Sequence, residues 1–393
     1  MLRILLLMDL SREPNRCLLR GVTRYTIEHE PWEFFQLSSF VSSYSGRRGP
    51  SRAEYNEQIL QKAAEIKADA ILGNWPEIDL PAAKELGIPI VLRSVDKVYE
   101  DMPMLLGKYQ KIGKMAADFF LSRNYRSFAF IGIANTFWSE ERRLGYTEAA
   151  KAAGMDVNYL LIKDTASSMN DTKEWLSSLP PQTALFACND LIANYITDIC
   201  RLCGIKIPDD ISLLGADNDE FLCNISSPRI SSIKLDFERE GYELAQRLEE
   251  AVEGKIESNF HVYLEPIDIV ERDSTKRHSI KDPHIAKLVE YFDKHFKEDI
   301  NLEKELDKIP LSRRSIEMKF SREMGGVTIL QYLTGLRVDN MKYMLAHTDM
   351  LIAEVAYKSG FDDPLNISRI FKKYTGYTPT EYRKIQNSVQ ASK

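Results

Sequence analysis

The chain has few of the residues that metal, redox or disulfide chemistry needs. Its 393 residues include five cysteines and six histidines. The cysteine number is odd, and only Cys200 and Cys203 stand in a C-x-x-C spacing, with no second pair or histidine beside them. Neither a disulfide framework nor a zinc site is expected, and no cofactor or metal is called for. No apolar run approaches the ~20 residues that a membrane span requires. The opening MLRILLLMDL is interrupted at Asp9 and is followed by no small-residue cleavage site, so it reads as the first strand of a cytoplasmic protein. Catalytic signatures are lacking too: there is no G-x-S-x-G, no P-loop and no G-x-G-x-x-G after a strand. An enzyme is not expected.

Net positive charge is also missing, since the formal total is −6. The total hides an asymmetry. From Lys281 to the end, 19 Lys and Arg face 16 Asp and Glu, a net of +3, which leaves −9 for residues 1–280. So weak a positive balance means that phosphate binding has to come from local clusters. Two are present: Arg313, Arg314, Lys319 and Arg322, and Lys372, Lys373, Arg383 and Lys384. Each could also be an ordinary solvated helix face.

What is there is most legible in the last hundred or so residues. In LIAEVAYKSGFDDPLNISRIFKKYTGYTPTEYRK, Ile352, Val355, Ala356 and Tyr357 recur at helical spacing, and Gly360 ends that helix before a tight turn. A second helix follows. Asp362 or Asp363 can cap it, Pro364 suits its first position, and Ile367, Ile370 and Phe371 form its apolar stripe. This is a helix-turn-helix pattern. Its outward residues include Leu365, Asn366, Ser368, Arg369, Lys372 and Lys373, a face suited to a DNA groove. An earlier copy lies about fifty residues upstream. Leu302 and Leu306 match Ile352 and Ala356, while Ile316 and Phe320 repeat the step from Ile367 to Phe371. Each Phe is followed five residues later by Gly325 or Gly376, and then by Tyr332 or Tyr382. Leu330, Leu333, Leu336, Met341, Met344 and Leu345 predict one long helix between the copies.

The first two thirds alternate strand and helix. Arg3 to Met8, Ala68 to Gly73 and Pro89 to Leu92 read as buried strands, with a helix over Cys17 to His29. The alternation restarts near Gly107, with helices around Ile112 to Ser122 and Glu141 to Ala153, and strands at Ser127 to Ile133, Thr183 to Ala187 and Ile211 to Gly215. Two parallel α/β lobes are expected. Ligands of such sheets bind beyond the carboxyl ends of the strands. The residues there are polar or aromatic: Asp9, Ser11, Arg12, Asn15 and Arg16; Asn74 and Trp75; Phe137, Trp138 and Arg142; Asn189 and Asp190; Asp217, Asn218 and Asp219. Aromatic faces with converging Asp, Asn and Arg suit a neutral sugar, whose ring stacks while its hydroxyls donate and accept. Plainer roles exist for several: Asp190 as a helix cap, Asp217 as a turn residue, Trp138 as core.

The segment PPQTALFACNDLIANYITDICRLCGIKIPDDISLLGADNDE, followed by SSPRISSIKLDFEREGYELA, resembles the LacI/GalR regulators and the related periplasmic sugar-binding proteins. WSEERRLGY resembles their second-lobe sugar loop, in which an Arg precedes a Gly by three, here Arg142 and Gly145. That resemblance implies that Arg142, Asn189 and Asp217 fall on ligand-contacting positions. The carboxyl-terminal stretch IAEVAYKSGF through PTEYRK resembles the AraC/XylS family. Its positions, carried over, put Arg313, Arg314, Glu317 and Met318 on the first reading helix and Leu365, Asn366 and Arg369 on the second. Pro310 stands where the family has a glycine in the first turn. The fusion of the two parts is similar, along essentially the whole length, to bacterial activators of xylose operons.

The expected fold is therefore a bilobed α/β periplasmic-binding-protein-like domain with two parallel sheets, followed by an all-α domain with two helix-turn-helix units. The expected boundaries are 1–272 for the first part, with lobe 1 at about 1–107 and 235–268 and lobe 2 at about 108–234, then a linker at 273–283 and a DNA-binding domain at 284–393. The expected sugar contacts are Asp9, Arg16, Trp75, Trp138, Arg142, Asn189, Asp190 and Asp217. The expected DNA contacts are Arg313, Arg314, Glu317, Met318, Leu365, Asn366, Arg369 and Lys372. Expected partners are double-stranded DNA, a monosaccharide effector, RNA polymerase and a second copy in a homodimer, with no membrane. The resemblance implies an activator responding to D-xylose; the alternatives are another monosaccharide such as L-arabinose, or repression.

Overall fold

The computed structural model describes residues 1–37, 52–75, 78–93, 97–257, 259–276, 282–324, 326–361 and 364–391. It divides into two compact units, Met1–Arg277 and His278–Lys393.

The first unit holds two six-stranded sheets. Strands β1 (Arg3–Leu7), β2 (Glu33–Gln36), β3 (Ala70–Gly73), β4 (Ile90–Leu92) and β5 (Met104–Gly107) join β11 (His261–Leu264) in the order β11-β5-β4-β3-β1-β2. All pairs in it are parallel, with Leu5 opposite Phe35 and Ile71. After the exposed Arg3, its central strands are apolar at every position because both faces are covered. Ile4, Leu6 and Leu72 pack on one side, and Leu5, Leu7 and Ile71 on the other with Tyr55 and Ile59 of helix α2 (Arg52–Ile66). The second sheet orders β12 (Pro266–Val270), β10 (Ser231–Leu235), β9 (Ile211–Asp217), β8 (Thr183–Ala187), β6 (Ser127–Ile133) and β7 (Val157–Ile162). Only β12 runs antiparallel, with Ile269 opposite Ile233.

Helix α1 (Glu13–Glu28) pairs with the helix Phe237–Val252, and the helix Tyr109–Leu121 pairs with the helix Phe137–Ala152. Both pairs close through reciprocal glycines. A Cβ on Gly21 would sit 1.9 Å from Glu238 O, and one on Gly241 2.0 Å from Leu18 O. In the other pair, a Cβ on Gly113 would meet Arg142 O at 2.0 Å, and one on Gly145 would meet Gln110 O at 2.1 Å. The Arg-x-x-Gly spacing thus has a mechanical reason: Gly145 brings its helix close enough to fix the backbone one turn earlier, at Arg142.

The chain crosses between the lobes three times, at Lys108, Asp236 and Glu265. The crossings are tied together, Lys108 N donating to Leu264 O at 3.0 Å and Asp236 N to Glu265 O at 3.2 Å. Two expected boundaries differ from this topology. Pro266–Val270 pairs with β10 in the second sheet, so the return to the first lobe ends at Leu264 and not at 268. The expected linker does not begin at 273 either. Asp273–Thr275 is a 3-10 turn buried on the second lobe, where Ser274 Oγ donates to Leu213 O at 2.6 Å. Residues 277–281 of that linker lie outside the described residues, and Pro283 already opens a helix.

The second unit is all helical: Pro283–His295, Leu302–Leu306, Arg313–Glu323, Ile329–His347, Ile352–Lys358, Pro364–Thr375 and Pro379–Ala391. It has two cores. Ile285, Phe292, Leu306, Ile316, Phe320 and Leu333 form one; Val338, Met341, Leu345, Val355, Ile367 and Phe371 form the other. The long helix Ile329–His347 serves both, its first half facing one core and its second half the other. Leu330, expected inward, is 63% exposed, and Tyr357 is 73% exposed. The capping residues Asp362 and Asp363, and Gly325, lie outside the described residues.

Candidate ligand cleft and nucleic-acid interface

The carboxyl ends of the strands bring together a small set of charged groups. Arg142, 3% exposed, donates from Nη1 to Cys188 O and from Nη2 to Asp217 Oδ1, the latter at 2.8 Å. Its guanidinium lies 5.2 Å from the Trp138 ring centre and 5.8 Å from that of Tyr109. Burial pulls the Arg142 pKa down, but the Asp217 carboxylate, with Tyr109 and Cys188, makes the net shift upward. Arg142 Nε has no hydrogen-bond partner among the described residues. Across from it, Arg93 donates to Asn15 Oδ1 and lies 5.7 Å from the Phe237 ring centre. Burial lowers its pKa; Tyr109 and Asp217 oppose that shift, and Arg142 adds to it. Each of these groups thus feels the others across the cleft.

Asp217 occupies a backbone that L side chains rarely adopt, at φ 98°, and Asn218 follows at φ 53°. The surroundings fix this turn. Asn218 N donates to Ser232 Oγ at 3.0 Å, Arg272 Nη2 donates to Asn218 Oδ1 at 3.0 Å, and Asp219 N donates to Asp190 Oδ2 at 2.7 Å. Strain held this firmly is typical of ligand clamps. Asp190 is accordingly buried beneath the loop that it braces, and burial, with Asp217 nearby, pushes its carboxyl up to about 8.

The other expected sugar residues divide. Asn189 spends its Oδ1 capping the helix Asp190–Cys203, accepting from Ile192 N at 2.9 Å. Asp9 Oδ1 accepts from Ser11 N and Oγ at 3.0 and 2.7 Å and so shapes its own loop. Arg16 donates to Leu10 O at 2.8 Å, to Ser11 O at 2.7 Å and to Glu13, bracing that loop. Trp75, 4% exposed, belongs to the core beneath the first sheet, with its Nε1 on Asn56. The structure therefore groups Arg142, Trp138 and Asp217, sets Asn189 and Asp190 to supporting bonds, and buries the Trp75 side chain in the core although its backbone follows the end of β3.

In the second unit the first reading helix has a capped start. Ser312 caps Arg313–Glu323, accepting from Ser315 N at 3.3 Å. Arg313, Arg314, Glu317 and Met318 are all exposed along it. Arg313 is held by Glu317 at 3.1 Å and by Glu303 at 3.4 Å. Lys319 does not join them: its ammonium pairs at 2.6 Å with Asp282, the cap of Pro283–His295. On the second helix Asn366, Arg369 and Lys372 are exposed, with Arg369 Nη2 3.3 Å from Asn366 Oδ1. Leu365 lies within that helix, but its side chain is outside the described set. The two units repeat closely. Phe320 meets Tyr332 edge-on at 5.7 Å and Phe371 meets Tyr382 at 5.5 Å. Thr328 with Gln331 and Thr378 with Glu381 form matching reciprocal caps.

Residues 117–275 match the model of the periplasmic binding protein-like domain, and residues 307–385 that of the helix-turn-helix domain. The xylose operon regulatory protein of Escherichia coli K12 is 24% identical, with 98% of each chain covered. That of Haemophilus influenzae is 27% identical, over 72% of this chain and 76% of its own. The solved structure of the xylose-binding transcription activator xylR shares the fold, with a TM-score of 0.67 at 22% identity and 98% of each chain covered. The chain is a DNA-binding transcriptional regulator. It is not an enzyme.

The regulator's cleft contains residues that the sequence pattern did not supply. Arg93 follows β4, Tyr109 follows β5 and Phe237 follows β10. All three obey the strand-end rule that led to Arg142 and Asp217. Arg93 needed only that rule at Leu92, whereas β5 and β10 were not recognised as strands. In the helix-turn-helix domain the repeat is better aligned as G-x-T-x-x-[QE]-Y, starting at Gly326 and Gly376. Those two glycines share the left-handed backbone, at φ 92° and 81°.

Proposed function

We propose that this regulator activates pentose-utilisation genes in response to D-xylose, bound between the lobes of the first unit. The observation that carries this is the ion pair between the buried Arg142, on the helix that follows β6, and the partly buried Asp217 at the end of β9, faced by Arg93 and Asn15 from the other lobe. Such a set offers a polyhydroxy ring both donors and acceptors, and Trp138 and Phe237 offer it apolar faces. Arg142 Nε is a donor left over for a hydroxyl. The names of the relatives supply the choice of xylose. Sugar would favour the closed lobes by no more than its difference in affinity for the open and closed states. Closure would act on Lys108, Asp236 and Glu265, where the chain crosses between lobes.

The DNA contacts proposed are Arg313, Arg314, Glu317 and Met318 from the first helix-turn-helix and Leu365, Asn366, Arg369 and Lys372 from the second. A cytoplasmic homodimer, with four reading helices on repeated half-sites, would bring RNA polymerase to the promoter. Calorimetric titration of the full chain with D-xylose, L-arabinose, D-ribose and D-glucose tests the effector. The expected result is xylose binding, with tighter retention of upstream operator duplex in a gel shift when xylose is present. Binding of another sugar alone, or of none, rejects the xylose assignment.

A further inference from the structure

The two helix-turn-helix units have separate cores and share the helix Ile329–His347. One side chain in the middle of that helix joins them. Arg337 Nε donates to Phe296 O at 2.8 Å, and its Nη2 donates to Glu298 O at 2.9 Å. Both carbonyls lie just beyond Pro283–His295, the helix that opens the first unit. The same guanidinium lies 6.0 Å from the ring centre of Phe361, which is buried in the core of the second unit. Phe361 follows Gly360, the turn residue between the second unit's two helices. Gly360 has φ +87°, and a Cβ there would stand 2.5 Å from Phe296 O and 2.8 Å from Arg337 Nε. The first unit's loop, the Arg337 guanidinium and the second unit's turn are therefore in direct contact.

An arginine satisfying carbonyls past a helix end is a common stabilising device. The placement of Arg337 does more than that. Leu336 packs with the first core and Val338 with the second, so Arg337 stands where the shared helix passes from one unit to the other. A single helix fixes the axis between two units but resists their rocking only through what packs beside it. A planar fork with fixed N–H directions is a stiffer brace than a flexible ammonium. Asn340 Nδ2 donates to the buried Ser359 Oγ at 2.9 Å one turn further on, and reinforces the same joint.

We propose that Arg337 is a positioning residue for DNA recognition, fixing the angle between the two units and hence the separation of the two DNA elements that they read. This rests on the proposal that both units read DNA. The test is selection of duplexes from a random pool by the full-length chain, as wild type, Arg337→Gln and Arg337→Lys. Wild type is expected to enrich two elements at one separation. Arg337→Gln is expected to enrich the same two elements at several separations and to bind the wild-type site roughly tenfold more weakly, with Arg337→Lys between the two. A single unchanged separation in Arg337→Gln overturns the proposal. Uniform weakening with the separation kept also overturns it, because that is the mark of a purely stabilising role. If Arg337→Gln binds no duplex, Arg337→Lys decides by the same criterion. Enrichment of one element alone by wild type sinks the tandem reading itself, and this inference with it.

Discussion

The ligand cleft and the reading helices use the same residue, arginine, in opposite states. Arg142 is buried and committed to Asp217 and Cys188 O, whereas Arg314 and Arg369 stand in solvent. The cleft is assembled by folding, with its strained turn at Asp217 and its charges balanced by neighbours. The reading surface is left with its donors exposed, because DNA supplies the counter-charge. Removing an arginine should therefore damage fold and binding together in the cleft, and binding alone on the reading helices.

The largest effect is expected for Arg142→Ala. It leaves Asp217 as a partly buried carboxylate without its cation, a loss of the kind that costs about 3–5 kcal/mol. Thermal denaturation should show a lower midpoint, and calorimetry should show no xylose binding. Arg142→Lys should not rescue, since one ammonium cannot serve Cys188 O and Asp217 in the geometry of the fork. A variant that lacks Arg142 yet melts like wild type would break the comparison. Arg369→Ala comes next. A loss of about 1–3 kcal/mol in specific DNA affinity is expected if it reads a base, with the melting curve unchanged. Unchanged affinity in a gel shift would remove Arg369 from the reading set.

The comparison also shows what sequence can carry. Strands buried on both faces, such as Ser127–Ile133 and Thr183–Ala187, stand out as continuous apolar runs, and the structure has them with those boundaries. The short strand Glu33–Gln36 and the solvent-facing Val157–Ile162 give no such run, and Met104–Gly107 gives one of only three large apolar residues before its glycine. The rule of looking after each strand led to Arg142 and Asp217, which meet at 2.8 Å. It also led to Arg16 and Trp75, whose partners come from a loop and from a helix distant in sequence. Strand-end position says that a side chain is near the cleft, but not which neighbour it is already bonded to. The repeated helix-turn-helix pattern was legible because Phe320 and Phe371 recur with their tyrosines. The Arg337 brace was not, since it ties carbonyls that no residue type announces.

A smaller effect separates the two regions by pH. Asp190 is pushed up to about 8 and Glu240 up to about 7, in both cases chiefly by burial. The folded protein thus keeps protons that the unfolded chain has released, so stability falls as pH rises from about 4 towards 8. Asp190→Asn should flatten the upper part of that slope and leave the part due to Glu240. Melting midpoints between pH 5 and 9 measure this. An equally steep fall above pH 7 in Asp190→Asn would show that Asp190 is ionised when folded.

The finest contrast lies within the helical unit, between two lysines of the basic clusters. Lys372 is exposed on the second reading helix, whereas Lys319 is tied at 2.6 Å to Asp282. If Lys372 contacts a phosphate, Lys372→Ala should reduce the slope of log affinity against log salt by about 1, and should weaken binding almost equally for all sequences. Lys319→Ala should leave that slope unchanged, because its charge is already spent on the Asp282 carboxylate, which it holds below the usual range. Fluorescence anisotropy across a salt series distinguishes the two. Equal slopes for both variants would mean that sharing an ion pair with Asp282 does not withhold Lys319 from DNA, and that exposure alone is a poor guide to which cations meet phosphate.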